Sequence, residues 1–143
     1  MRRLLVSICI LLASYSAMAQ NLERVVAIGD KDLCIMADLD DMLVGLQESL
    51  PEDTELLSRL QSASAAYKSE QILTKKRASF VVARGYKLSG SLLYTIFRNE
   101  RYAFKMLVAD GIFKASSSGS DALSGIDLLS FIGAVDQEYG AAR

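Results

Sequence analysis

Apolar residues recur three or four positions apart along most of the 143-residue chain, which is the spacing of one face of an α-helix. Stripes of this kind predict helices that begin near residues 33, 51, 74, 92, 100 and 124. Residues 68–71 leave open whether the second helix continues into the third, and residues 21–29 are ambiguous between a short strand and a helix. The pattern therefore predicts an all-α fold, a compact bundle of about five helices.

Several predicted helix ends carry residues that suit a cap. The segment Asp30–Asp32 supplies N-cap candidates for the first helix, and Asn99 is one for the helix that begins at residue 100. Gly111 fits the left-handed position that follows that helix. Ser124, with Asp127 three residues later, forms a capping-box variant at the last helix. These residues place the helix ends more sharply than the apolar spacing does.

Three of the predicted helix starts resemble one another. Leu33-Cys34, Leu73-Thr74 and Leu123-Ser124 each place a leucine before a small residue that is compatible with a cap. A leucine there packs onto the first turn as a hydrophobic staple. Two explanations remain open: amphipathic helices resemble one another in general, or the domain is built from degenerate helix-loop-helix units.

The last part of the chain resembles a known family. Residues 101–113 (RYAFKMLVADGIF), a loop and residues 122–129 (ALSGIDLL) are similar to the S-layer-homology unit, in which a short helix ending in Gly-Ile precedes a longer helix that opens with a Thr-Arg-type motif. The similarity covers residues 72–138 and implies binding of cell-wall polymer, which the Thr-Arg pair of that family helps to hold. At the two matching positions this chain has Thr74-Lys75, a hydroxyl followed by a cation, and Ser124-Gly125. The same stretch is also similar to small exported helical proteins of spirochaetes.

The N-terminus has the pattern of a secretory signal peptide. Arg2 and Arg3 precede the apolar run Leu4–Ala13, and a small-residue exit, Ala17–Ala19, follows. The apolar run is shorter than the roughly 20 residues that span a bilayer core. We therefore expect a signal peptide over residues 1–19, cleaved after Ala19, and a single helical domain over residues 20–143. The mature protein is predicted to be periplasmic or secreted, with no membrane span.

Composition excludes most catalytic chemistry. The chain has no histidine, which removes the Ser-His and Cys-His nucleophile pairs and the usual zinc sites. It contains neither common glycine-rich nucleotide-binding motif. Asp38, Asp40 and Asp41 do not form an EF-hand loop, because Leu43 holds the sixth place, and we expect them to be solvated. The prediction is a protein that is not an enzyme and has no cofactor and no metal.

Cys34 is the only cysteine that remains once the signal peptide is removed, so no disulfide can form within the mature chain. A lone cysteine in an exported protein is either buried or bonded to another chain. Its neighbours, Leu33, Ile35 and Met36, are apolar, which favours a buried thiol.

Charge is segregated along the sequence. Residues 30–55 contain nine acidic residues and one basic residue, whereas residues 59–105 contain ten basic residues and two acidic ones. One interpretation is that an acidic helix packs beside a basic helix. The other is that the basic residues bind an anionic partner, with an aromatic residue as an interface anchor. The candidate partner- or polymer-binding residues are Lys75, Lys76, Arg77, Arg84, Lys87, Arg101 and Tyr102.

Taken together, these features predict an exported, non-enzymatic interaction or structural protein of the cell envelope: a periplasmic scaffold, adaptor or complex subunit with an envelope protein as its partner. The alternative is a binder of anionic cell-wall polymer through a basic helical face. Without residues 1–19, 14 basic residues face 17 acidic ones, a net charge of −3, which argues against nucleic acid as a partner.

Overall fold

The computed structural model describes residues 20–49 and 54–140, and this part of the chain is all-α, as predicted. Residues 20–29 form helix α1. Six further helices follow: α2 Met36–Ser49, α3 Thr54–Ser64, α4 Lys75–Gly85, α5 Leu92–Phe97, α6 Glu100–Ala109 and α7 Gly125–Tyr139. The predicted signal peptide and the predicted helix start at Pro51 lie outside the described residues. None of the described helices combines the length and hydropathy that crossing a bilayer requires.

The number of helical segments exceeds the predicted five for two reasons. Residues 20–29, which the sequence left ambiguous, are helical, and residues 65–74 separate α3 from α4. Asp30–Asp32 also do not cap the first predicted helix, which begins at Met36. There the Asp38 carboxylate accepts a hydrogen bond from the N–H of Ile35 (2.8 Å), because an acidic side chain in the first turn reaches back to an otherwise unpaired amide.

The caps predicted at Asn99, Gly111 and Ser124 are confirmed, whereas Thr74 is the N-cap residue of α4 but its side chain makes no capping hydrogen bond. The Asn99 side chain accepts from the N–H of Tyr102 (3.1 Å) at the start of α6. Gly111 follows that helix with φ of 81°, and the N–H of Ile112 donates to the C=O of Leu107 (2.9 Å), which completes a Schellman motif. At the start of α7, Ser124 and the residue three positions later form the capping box.

Three loops meet in the interior through a closed ring of backbone hydrogen bonds. The N–H of Cys34 donates to the C=O of Leu123 (2.8 Å), that of Leu123 to the C=O of Leu73 (2.9 Å), and that of Leu73 to the C=O of Cys34 (2.9 Å). All three side chains are buried. We call these three residues the loop hub. Because each buried amide and carbonyl of the hub is paired, the loops cross the core without an uncompensated polar group.

A second set of hydrogen bonds repeats the arrangement two residues later. Each donor is the residue that follows a hub position by two, and each acceptor lies in the neighbouring loop: Met36 N–H to Gln71 C=O (2.8 Å), Lys75 N–H to Asp121 C=O (3.0 Å) and Gly125 N–H to Lys31 C=O (2.8 Å). The helix pairs α1–α2, α3–α4 and α6–α7 therefore enter the hub in the same way. Helix α5 belongs to none of these pairs.

The hub corrects the predicted alignment of the first helix start. Leu33 was expected to be equivalent to Leu73 and Leu123, but its side chain is 47% exposed. Cys34 is fully buried and occupies the leucine position instead. The thiol is therefore a core group, as predicted, and burial raises its pKa.

Gly125 explains a departure from the Thr-Arg-type motif. A Cβ atom added at this residue would lie 1.7 Å from the carbonyl oxygen of Ile28, at the end of α1. The first residue of α7 thus packs directly against the backbone of another helix. No side chain fits at this position, and an arginine least of all.

Helix α4 lies between α3 and α6 in the core and contributes Ala78, Val81 and Val82 to it. Gly85, in its last turn, allows close packing, because an added Cβ would lie 2.3 Å from Leu60 Cδ2 of α3. Both ends of α4 are therefore fixed: the first by the loop hub and the last by α3.

Candidate functional site

The predicted basic residues in the first turn of α4 are engaged in contacts within the fold. The Lys75 ammonium forms an ion pair with Asp121 (3.1 Å) and lies 5.9 Å from the centre of the Phe113 ring. Lys76 lies 3.9 Å from the Glu100 carboxylate of α6. Lys75 thus holds loop 110–124 against α4, and Lys76 holds α6 against it. Both cations therefore have a structural role.

Arg77 also has partners within the fold. Its Nη1 donates to the C=O of Ile72 (2.6 Å), and its guanidinium lies 5.9 Å from the centre of the Tyr67 ring. No cation of this turn forms an ion pair with a described carboxylate of residues 30–55. For Lys75 and Lys76, the acidic partners come instead from α6 and the loop that follows it, so in the part of the chain that the structure describes these cations do not pair with the acidic helix.

The predicted residues Arg84 and Lys87, at the far end of α4, line a groove together with Arg98, which follows α5. We call this the basic groove. It has a volume of about 600 Å³. Arg84 follows Arg77 by seven positions, about 10 Å at 1.5 Å per residue, so the predicted basic residues at the two ends of α4 belong to two different places, and Arg101 in α6 belongs to a third.

The electrostatics of the basic groove are one-sided. None of the residues that line it is acidic, and no described carboxylate forms an ion pair with Arg84, Lys87 or Arg98. Arg84 lies 5.5 Å from the centre of the Phe80 ring, which positions its guanidinium. The groove therefore presents three positive charges to solvent without internal neutralisation.

Tyr94 is 4% exposed and also lines the basic groove. Burial raises the pKa of its hydroxyl, while Arg84 and Arg98 act in the opposite direction. The net result is a hydroxyl that stays protonated at neutral pH and is able to donate a hydrogen bond. Sequence analysis missed Tyr94 and Arg98. Tyr94 lies within α5 and Arg98 directly follows it, and the spacing of residues in the sequence does not reveal that this helix faces the end of α4.

Helix α5 exposes most of its apolar side chains. Leu92 is 76% exposed, Leu93 47%, Ile96 62% and Phe97 55%. We call these four residues the α5 apolar surface. Ser91 caps the helix by accepting from the N–H of Tyr94 (3.4 Å), so the helix is held in place by local hydrogen bonds and by one buried side chain.

The predicted residue Tyr102 borders the α5 apolar surface, and the predicted residue Arg101 precedes it in the first turn of α6. The Tyr102 ring stacks on Phe97, with ring centres 5.2 Å apart, and the Lys105 ammonium lies 5.9 Å from the centre of the Tyr102 ring. Arg101 and Lys105 are exposed, and neither forms an ion pair with a described carboxylate. An apolar surface with a positively charged border results.

Of the three aspartates of α2 that were expected to be solvated, Asp41 is exposed, whereas the other two have partners within the fold. Asp38 is buried and binds Lys31 as well as the amide at the helix start. Asp40 accepts a hydrogen bond from the hydroxyl of Ser64, in α3. Over residues 20–49 and 54–140, no group of three or more histidine, cysteine or acidic side chains is placed to hold a metal ion.

No protein-family model, no curated protein and no solved structure matches the chain. The similarity of residues 72–138 to the S-layer-homology unit therefore stays a hypothesis.

Proposed function

We propose that this chain is a non-enzymatic interaction protein of the cell envelope, a scaffold, adaptor or complex subunit, and that the α5 apolar surface binds its protein partner. The observation that carries the proposal is the exposure of four large apolar side chains on one six-residue helix. A contiguous exposed apolar patch on a folded domain commonly marks an interaction surface. Tyr102 and Arg101 add the residue types that most often anchor protein interfaces.

The border of this surface specifies the chemistry of the partner. Arg101 and Lys105 are positive, and Glu100, the nearest acidic residue in sequence, is turned away to accept a hydrogen bond from the Tyr67 hydroxyl (2.8 Å). A partner segment that combines apolar side chains with acidic ones complements this arrangement. We therefore propose an acidic, apolar segment of another envelope protein as the occupant.

The position of α5 outside the three helix pairs supports the same proposal. The loop hub takes one residue from each of the pairs α1–α2, α3–α4 and α6–α7, and this equivalence supports a degenerate helix-loop-helix repeat. None of the hub's hydrogen bonds involves α5. Its apolar side chains are therefore not required by the hub and are available for binding.

Export is part of the proposal and has its own test. A charged start, an apolar run and the Ala17–Ala19 exit support cleavage after Ala19. N-terminal sequencing of the protein recovered from the cell exterior or periplasm is expected to begin at Gln20. Recovery of an intact Met1 form from the cytoplasm alone would contradict export.

The docking proposal is tested in cells with the exported full chain. A photo-cross-linking amino acid in place of Ile96 is expected to capture a peptide that is net acidic and rich in apolar residues. The double substitution Leu92→Ser with Ile96→Ser is expected to abolish recovery of the same partner in pull-downs. The reason is that it removes apolar contact area and leaves the charge of the surface unchanged.

The chain offers a matched control for that variant. Leu22 and Val26 are also an exposed apolar pair four residues apart on a helix, 65% and 54% exposed, but they lie on α1. Leu22→Ser with Val26→Ser should leave the partner bound. Loss of the partner in both double variants, or capture of lipid, wall fragments or a basic peptide at position 96, would contradict the docking proposal.

A second candidate function is the binding of anionic cell-wall polymer, favoured by the convergence of Arg84 and Lys87 with Arg98. Lys75, Lys76 and Arg77 contribute less, because they have partners within the fold. Co-sedimentation with sacculi is expected to fall with salt and with Arg84→Glu plus Lys87→Glu. The matched control is Lys114→Glu, an exposed cation outside the groove. Absence of binding at low salt would end this candidate.

A further inference from the structure

The backbone at the basic groove is strained in an informative way. Among the described residues, Lys87 (φ 54°) and Arg98 (φ 42°) are the two residues other than glycine with a positive φ, and both line this groove. Left-handed backbone costs an ordinary L-residue of order 1 kcal/mol and suits glycine. The fold therefore keeps a cation at two positions where glycine is the less strained choice.

Helix α6 provides the comparison for Lys87. At the end of α4 the N–H of Leu88 donates to the C=O of Ala83 (2.9 Å), and at the end of α6 the N–H of Ile112 donates to the C=O of Leu107 (2.9 Å). Both are Schellman motifs, and their left-handed residues are Lys87 and Gly111. The same turn is thus made without strain elsewhere in this chain. Strain at a site that gathers charge points to binding.

We propose that the basic groove binds the phosphate group of a small organic phosphate ester. Arg84 and Arg98 supply planar forks of N–H donors, Lys87 a third positive charge, and Tyr94 a hydroxyl donor. Two arginines match the oxygens of a phosphate in bidentate fashion. Three positive charges exceed what a single carboxylate needs and suit a phosphate dianion.

The size and walls of the groove define the rest of the ligand. A volume of about 600 Å³ exceeds that of a phosphate ion and falls in the range of small-molecule sites. Phe80 and Leu88 line it beside the cations and offer apolar contact to the organic part. This site is distinct from the α5 apolar surface and does not rest on the docking proposal. It gives the basic groove a small ligand in place of the wall polymer of the second candidate function.

The test is calorimetric titration of the mature exported protein with glycerol 3-phosphate, inorganic phosphate and acetate. One glycerol 3-phosphate per chain is expected, bound at least tenfold more tightly than acetate. Arg98→Gly and Lys87→Gly are each expected to weaken binding about tenfold or more, the usual loss for a charged hydrogen bond. Their unfolding midpoints should be unchanged or higher, because glycine relieves the strain. Tyr94→Phe should weaken binding less than either.

The control Lys114→Gln, an exposed cation outside the groove, should bind as the wild type does. Leu92→Ser with Ile96→Ser should also leave the phosphate affinity unchanged, which separates this site from the docking surface. Vesicles of phosphatidylcholine with and without phosphatidic acid identify the source of the phosphate. Vesicle binding that needs phosphatidic acid and is lost in Arg98→Gly supports a lipid headgroup as that source.

Three results would overturn the proposal. The first is no saturable binding of either phosphate or of phosphatidic acid vesicles. The second is equal affinity for acetate and glycerol 3-phosphate. The third is an equal loss of affinity in Lys114→Gln and Arg98→Gly, since that would report unspecific attraction to positive charge.

Discussion

The two ends of α4 carry cations that do different things. In the first turn, Lys75 and Lys76 bind Asp121 and Glu100. At the last turn and just beyond it, Arg84 and Lys87 face the basic groove and form no ion pair with a described carboxylate. One helix thus holds the loop hub together at one end and presents unneutralised charge at the other. The contrast teaches that, within a run of basic residues, only those that have no acidic partner in the fold are candidates for binding an anion.

The largest change in stability is expected from a substitution next to the loop hub, at Gly125. Gly125→Ala would place a Cβ atom 1.7 Å from the Ile28 carbonyl oxygen, so the contact between α7 and α1 has to open. We expect a loss of about 3 kcal/mol or more in the free energy of unfolding, measured by urea denaturation.

Gly133→Ala is the matched control for that variant. Gly133 lies in the same helix, and an added Cβ would meet nothing within 4 Å. Alanine should therefore stabilise the protein by about 0.5–1 kcal/mol. A similar loss in both variants would contradict the packing described at the hub.

A smaller loss is expected from changing the cysteine at the hub. Cys34→Ser places a hydroxyl in a fully buried apolar site, which should cost about 1–3 kcal/mol. The wild-type thiol should be unreactive towards a thiol reagent in the native protein, since burial raises its pKa and blocks access. Rapid stoichiometric labelling of the native protein, or a covalent dimer without reductant, would contradict burial.

At the basic groove we expect a substitution to stabilise the protein and not to destabilise it. Lys87→Gly should raise the free energy of unfolding by about 1 kcal/mol or less, because glycine tolerates the left-handed backbone. The reciprocal change, Gly111→Lys, puts a side chain at φ 81° in the equivalent turn and should lower stability by about 1 kcal/mol. Denaturation midpoints of both variants decide the point, and destabilisation by Lys87→Gly would show that its cation supports the fold.

The smallest effect is a pH dependence at the hub end. The Ser118 N–H (3.0 Å) and the Lys75 ammonium hold the pKa of Asp121 below its usual value. A lowered folded-state pKa gives stability that is present above the unfolded-state pKa and is lost as the pH falls through the folded-state value. Asp121→Asn should therefore lower the midpoint slightly at neutral pH, and the difference should shrink below about pH 4. A difference that stays constant down to pH 2 would contradict the ion pair.

Local signals in the sequence predicted most of the helices and their caps. Asn99, Gly111 and the Ser124–Asp127 box cap helices through contacts with residues close to them in sequence. Such contacts can be predicted without knowledge of the tertiary fold. The register of the first unit was misplaced by one residue, because a cysteine occupies the place that leucine holds in the other two. No local rule identifies that exchange.

The sequence predicted the candidate site less well than the helices, because the role of each cation depends on partners that are far from it in sequence. The partners of Lys75 and Lys76 lie 46 and 24 positions away, so the linear charge pattern could not assign them. Leu92, Ile96 and Phe97 are apolar, and their spacing does not distinguish an exposed helix face from a buried one. The three helix pairs around the hub show that α5 belongs to none of them. Tyr94 and Arg98 gain their interest from the same placement.

Native-state hydrogen exchange of the protein tests the central claim most directly. That claim is that the loop hub carries the stability and that α5 is a peripheral element available for binding. The amides of Cys34, Leu73 and Leu123 are predicted to exchange with the free energy of global unfolding. The amides of Thr95, within α5, and Arg98, directly after it, should exchange through openings that cost much less free energy. Exchange at α5 as slow as at the hub, or hub amides that exchange through local openings, would contradict the account.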